Sequence, residues 1–255
     1  MQGKTSEDLM SFVRQSELAA VVFLLLCLPT IASSYTLPER LEYDLTWAGI
    51  KAGTASLETM ENGQYIQFVS RAMSSDFVSV FYKVEDLAVS FLKKESHKNL
   101  PGTPYSYRLK TSEGRHKKDK EVYFDFVGKK ATFFNYLDKE YQVFNIGDST
   151  MDALSCFYYV RYLPLQVGKS VYVEIFDNKK LYKAEVQVVK KEEIETSLGT
   201  FKTILIRPIL QSEGIFSRKG DILIWLTDDA KRLPVLLKTK VKVGSVKATL
   251  TGVKY

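Results

Sequence analysis

Two histidines and two cysteines among 255 residues exclude much at the outset. Metal centres draw on clustered histidine, cysteine and carboxylate ligands. Here His97 stands in "KKESHKNLP" and His116 in "GRHKKDKE", neither with ligand-like spacing, so both read as solvated side chains and no metal is expected. Cys27 belongs to an apolar run near the start, which leaves Cys156 without a partner once that run is removed. No intramolecular disulfide is then possible, and packing must supply the stability. Also missing are a phosphate-cradling glycine loop, a paired-cysteine zinc motif and a nucleophile elbow, so no cofactor is expected. "GDST" at 147–150 is similar to the serine block of certain lipases and esterases, but their histidine base comes late in the chain. The last histidine here, His116, precedes Ser149.

Long apolar runs are scarce as well. The one that exists, "AAVVFLLLCLPTIA" at 19–32, is shorter than the ~20 residues of a membrane span and has the length of a secretory signal. Small residues follow at Ala32, Ser33 and Ser34, so cleavage is expected before Tyr35, with cleavage after Ala32 as the second choice. A start at Met10 would give the leader an ordinary charge. Leu26 before Cys27 does not suit lipoprotein processing. The expected organisation is a signal peptide over 1–34 and a single β-rich domain over 35–255, exported to the periplasm, with no transmembrane segment in the mature chain. Removing Lys4 and Arg14 together with Glu7, Asp8 and Glu17 raises the net charge of +6 by one.

What fills the rest is period-two patterning. Leu41, Tyr43, Leu45 and Trp47 alternate with Glu42, Asp44 and Thr46. Gly49 and Gly53 bracket a tight connection, after which Ala55 and Leu57 resume the apolar face. Comparable strands are expected through 122–126, 182–188 and ten further segments between 64 and 253. The fold class is therefore mainly β: a large antiparallel sheet forming a half-open barrel or sandwich, with one or two short helices packed against it. The main helix is expected over 148–164, capped by Ser149 with Asp152 three residues on, and stopped by Pro164. At 74–84 the sequence fits a second short helix, although its β-branched residues would also suit a strand.

Several residues invite a functional reading. Glu42 and Asp44, two apart on a strand, point the same way about 6.5 to 7 Å apart, a spacing at which carboxylates can divide acid and base roles. The plainer reading is a solvated sheet face. Asp228, Asp229 and Arg232 lie in "TDDAKRLPV", by default an aspartate-favouring turn, alternatively a grip for a polar ligand. With Trp47 they make up the candidate ligand-binding set. In "LKTKVKVGSVKATL", a two-residue turn at Gly244–Ser245 would pair Lys242 with Lys247 and gather Lys238, Lys240, Lys242 and Lys247 on one face. Such a stripe either discourages edge pairing or contacts an anionic surface. No catalytic residue is expected, and nucleic acid is an unsuitable partner for an exported chain without recognition motifs.

The blocks "LEYDLTWAGIKAGTASLE", "FYKVEDLAVSFL", "DALSCFYYVRYLPLQVG", "GTFKTILIRPI", "GIFSRKGDILIWLTDDAKRLPV" and "GSVKATL", in this order, resemble the exported bacterial proteins grouped as domain of unknown function 3108. The resemblance implies a β-rich periplasmic or envelope domain. It carries no reaction and no residue role. The functional expectation is a non-enzymatic binding or carrier/chaperone domain for an amphipathic ligand, a lipid or a glycan, held in a half-open barrel closed by the helix over 149–163. One alternative is a carboxylate-dependent hydrolase of envelope glycans using Glu42 with Asp44, or Asp228 with Asp229. Another is an assembly factor that binds an envelope protein.

Overall fold

A computed structural model describes residues 37–94, 102–211, 222–240 and 244–255. The expected leader, His97 and Lys242 lie outside these residues. Fifteen strands form one sheet. The first eight are β1 (Glu39–Trp47), β2 (Ile50–Asn62), β3 (Tyr65–Ser74), β4 (Val84–Lys93), β5 (Thr103–Glu113), β6 (His116–Asp125), β7 (Lys130–Asn135) and β8 (Glu140–Asn145). The others are β9 (Thr150–Met151), β10 (Ser170–Asp177), β11 (Lys180–Thr196), β12 (Gly199–Gln211), β13 (Ile222–Thr227), β14 (Pro234–Lys240) and β15 (Ser245–Lys254). Among the described residues two helices accompany them, α1 (Asp76–Ser79) and α2 (Ala153–Val160).

The order across the sheet is β8 to β1, then β15 down to β9. Each strand thus pairs with its sequence neighbour, and the first and last strands meet in the middle, antiparallel. Among the described residues only the β9–β10 pair is parallel. The two outermost strands are consecutive in the chain, separated by residues 146–149 alone. Fourteen strand intervals laid flat would hold them about 67 Å apart, whereas five residue steps reach at most about 18 Å. The sheet must therefore roll until its edges approach. Side chains bridge them: Phe144 and Phe176 rings lie 5.3 Å apart, and Lys179 Nζ is 2.5 Å from Glu140 Oε2. No backbone ladder joins β8 to β9 or β10, so the expected half-open barrel is the architecture found.

Helix α2 occupies the inside of this roll. Leu154 and Tyr158 pack with Phe68, Tyr107, Phe124, Phe133 and Phe176 on one wall. Cys156 and Val160 pack with Val173, Val186, Ile204 and Leu226 on the other. The Tyr158 ring stacks on Phe68 at 4.0 Å. The helix begins later than the sequence suggests. Thr150 and Met151 are engaged with Glu174 and Ile175 of β10, so the backbone stays extended up to Asp152. Asp152 is the N-cap, its Oδ1 accepting from the N–H of Leu154 and Ser155 at 2.9 and 2.8 Å; Ser149 lies in the turn before β9. Three i−3 bonds, ending with Leu163 N to Val160 O at 3.2 Å, tighten the exit before Pro164.

The C-terminal hairpin also departs from its expected register. Lys238, not Lys242, stands opposite Lys247, and Lys240 opposite Ser245; residues 241–243 lie outside the described residues. Packing decides this: Leu237 reaches Leu41, Tyr43 and Leu250, and the Pro234 carbonyl accepts from Tyr43 Oη at 2.9 Å. The displacement is an even number of residues, so each side chain keeps its expected face. Among the described residues no helix is long and apolar enough to cross a membrane.

Candidate functional site

The singled-out residues fall in two regions: Glu42, Asp44 and Trp47 on β1 beside Lys238, Lys240 and Lys247 on β14 and β15, and the Asp228–Arg232 turn. Glu42 lies on the outer face of β1, where its Oε1 meets Arg40 Nε at 3.0 Å and Lys254 Nζ at 2.9 Å. Arg40 continues to Glu58 at 3.1 Å, and Glu58 to Arg71 at 2.9 Å, so an ion lattice crosses four strands. Hydrogen bonds from Lys254 and then Arg40 hold the Glu42 carboxyl below its ordinary range, the reverse of what a general acid needs. Asp44 pairs with Lys51 at 2.7 Å. Trp47 stands at the end of the same strand, in register with Ile50 and Val246.

The Asp228–Arg232 turn is at the other end of the strands. Asp229 Oδ1 accepts from Thr227 Oγ1 at 2.7 Å and from the N–H of Lys231 and Arg232 at 3.0 Å each. Asp228 pairs with Lys191 at 2.6 Å. Arg232 adopts φ 48°, and burial lowers its pKa against the pull of Asp228 and Asp229. These contacts account for the turn as a folded unit. Lys238 and Lys247 face each other on the outer side of β14 and β15, with Lys240 further along the same face.

Inside the roll lie two hydrogen-bonded polar clusters, while Arg161 Nε is buried without a hydrogen-bond partner among the described residues. Glu39 of β1 and Arg161, the C-cap of α2, form a buried two-pronged pair at 2.7 and 2.9 Å, and Arg161 also donates to the Lys231 carbonyl at 3.0 Å. Burial pulls the Arg161 pKa down, but the bonds to Glu39 outweigh it, so the guanidinium stays charged. Asp152 Oδ2 accepts from Ser90 Oγ at 2.8 Å and Ser155 Oγ at 2.7 Å. Desolvation still raises its pKa. Burial first, then Asp152, pushes the Cys156 thiol up to about 12, which removes it as a nucleophile at neutral pH.

The most distinctive surface is one that residue-by-residue reading passed over. A row of aromatic rings crosses the outer face from β3 to β8. Tyr65 lies 6.1 Å from Phe91 and 5.0 Å from Tyr105. Tyr105 lies 6.1 Å from Tyr123, Tyr123 6.0 Å from Phe134, and Phe134 5.8 Å from Tyr141. Register explains the alignment: Phe134 pairs with Tyr141 and Thr132 with Tyr123, on the face opposite buried Val122, Phe124 and Phe133. A shift between Phe91 and Leu92 sets them against Ser106 and Pro104. Tyr105 is thus an extra residue, re-aimed outward as bulged residues are.

Tyr105, Tyr123, Tyr136 and Tyr141 are exposed, and charge borders the row. Arg108 lies 4.0 Å over the Tyr136 ring and pairs with Asp119 and Glu121 at 2.6 and 2.9 Å. Tyr136 Oη donates to Glu121 Oε2 at 2.5 Å, and that bond, followed by desolvation, raises its pKa. The rings support one another, three pairs edge to face, one tilted and one stacked, within the favourable separation range, so the surface is ordered before anything binds. The signal was available in "VYFDF", "ATFFN" and "EYQVF", where aromatics fall on both strand faces although only one can be the core.

A crystal structure described as a beta-barrel-like protein of domain of unknown function DUF1849 from Brucella abortus is similar to this chain, with TM-score 0.57 and 11% identity. The match covers 85% of this chain and 97% of that one. At that identity the likeness concerns the fold. No curated protein matches the chain. The model of a family described as "Protein of unknown function (DUF3108)" matches residues 42–251, nearly the whole of the sheet, and the chain belongs to that family.

Proposed function

We propose that the protein is a non-enzymatic binding domain for a glycan of the cell envelope, using the aromatic row on the outer face of β3–β8. The row is the observation that carries the reading. Sugars present flat, weakly polarised C–H faces that settle on aromatic rings, while their hydroxyls need polar neighbours. Tyrosine supplies both, at low conformational cost, and Arg108, Asp119 and Glu121 add charged hydrogen-bonding groups at one margin. Helix α2 packs against both walls of the roll, which moves the ligand from the interior to the exterior. An exposed aromatic expanse of this extent is unusual on a monomer without a partner.

The test is co-sedimentation with purified cell-wall sacculi. Replacing Tyr105, Tyr123 and Tyr141 together by Ala is expected to weaken binding on the order of 100-fold, taking roughly 1 kcal/mol per lost ring, with the thermal midpoint little changed. Parent-like sedimentation of the triple variant, or none by the parent, would reject the reading.

The proposal includes export, supported by the apolar run at 19–32 and its small-residue end. Intact mass of protein from the periplasmic fraction is expected to show a chain starting near Ser33 or Tyr35. A membrane-pellet form that retains 19–32 would make this segment an anchor instead.

A further inference from the structure

We infer that one end of the roll docks on an anionic lipid surface, through an apex formed by the β1–β2 hairpin and α1. At that end Ile50 is 59% exposed, Phe77 67%, Val80 77% and Phe81 80%, with Trp47 and Tyr82 also exposed. Helix α1 buries none of its side chains; a single turn that turns Phe77 and Val80 outward and runs on into Phe81 gains nothing from the core. The turn is nevertheless well fixed. Ser75 Oγ caps it through the Val78 N–H, the Ser75 N–H donates to the Ala52 carbonyl of β2 at 2.8 Å, and the Val84 N–H donates to Ser74 Oγ at 2.9 Å. The Phe77 and Phe81 rings meet at 6.1 Å. Apolar groups are therefore held outward on a braced platform.

The chemistry of the apex selects its partner. Its apolar side chains, 59 to 80% exposed, stand out into solvent. A bilayer interface closes around such side chains. Phe, Ile and Val suit the acyl boundary, and Trp and Tyr suit the headgroup level. Cations stand just behind. Lys238 faces Lys247 across β14–β15, Lys247 is level with Thr46, and Thr46 with Lys51, so these side chains form an outward row across four strands. Lys51 is paired with Asp44, which leaves Lys238 and Lys247 as the main attraction for anionic headgroups. The inference stands on residues separate from the aromatic row.

The experiment is flotation of the natively processed protein with vesicles of equal parts phosphatidylglycerol and phosphatidylethanolamine, with phosphatidylcholine vesicles as the control. The parent is expected to float with the anionic vesicles, less so as salt rises. Emission of exposed Trp47 should shift to the blue on binding, whereas Trp225, buried and donating to Glu192 at 2.7 Å, reports no change. Phe77→Ser with Phe81→Ser should lower partition at least ~tenfold while leaving the melting curve in place, since both rings are exposed. Lys238→Gln with Lys247→Gln should weaken binding at low salt by roughly fivefold per lysine and flatten its salt dependence. Failure of the parent to float, or parent-like flotation of the Phe77/Phe81 variant, overturns the inference. So does a parent dimer in sedimentation velocity that this variant converts to monomer, because the apex would then be a self-association face.

Discussion

Arg161→Leu should cost about 3–5 kcal/mol of folding stability, the usual consequence of removing one partner from a buried ion pair. The side chains of Arg161 and Glu39 are 4% and 6% exposed, and their two hydrogen bonds fasten the end of the plugging helix to β1 in the middle of the sheet. Without the guanidinium, the Glu39 carboxylate is stranded away from water, and the Lys231 carbonyl loses its donor. The double variant Glu39→Leu/Arg161→Leu should regain much of the loss, because an apolar pair of similar volume carries no desolvation debt. Urea unfolding at neutral pH measures both. A single variant within about 1 kcal/mol of the parent would mean that the pair is hydrated and that its burial has been misread.

Gly53→Ala should be nearly as damaging, about 3 kcal/mol, at the upper end for overpacking. A Cβ at this position would lie 2.1 Å from the Met73 carbonyl oxygen, and backbone of a neighbouring strand cannot swing aside. The close approach arises where the β1–β2 register shifts between Leu45 and Thr46, leaving Ala52 as the extra residue. Gly49 provides the contrast. With Ala48 at φ 50° and Gly49 at φ 83°, the hairpin has the mirror-image turn that suits strand twist, and a Cβ at Gly49 meets nothing within 4 Å. Asn at 49 should therefore be milder than Ala, since Asn tolerates positive φ, whereas Asn at 53 gives no relief over Ala. Equal rankings at the two sites would remove the distinction between a steric glycine and a conformational one.

That contrast also marks how far sequence reading reached. Alternation around Leu41–Trp47 and at 122–126 gave the strands and their faces, because side-chain direction in a strand is a local property. Two things depended on partners elsewhere in the chain. Helix α2 starts at Asp152 and not Ser149 because β10 claims Thr150 and Met151, which no capping signal can announce. The β14–β15 pairing slid by four residues because Leu237 packs against β1, although parity preserved the lysine face. Glu39 and Arg161 stand 122 positions apart, and neither looked unusual locally. The aromatic row escaped because Tyr105 reaches it only through a bulge, and because Phe and Tyr on a strand look alike whether they face the core or the outside.

The meeting of the first and last strands has a consequence in time. β1 has β2 beside it as soon as the first hairpin exists, but its other neighbour, β15, begins at Ser245. During synthesis the strands from β1 to β8 can therefore grow outward as a meander of adjacent hairpins, while one flank of β1 stays open until β15 has emerged. The last contact to be made joins positions some two hundred apart, as with Leu45 and Ala248, a separation that slows closure. Until then Leu41 and Tyr43 lack Leu250, and the sheet is a strip with one flank of β1 unpaired.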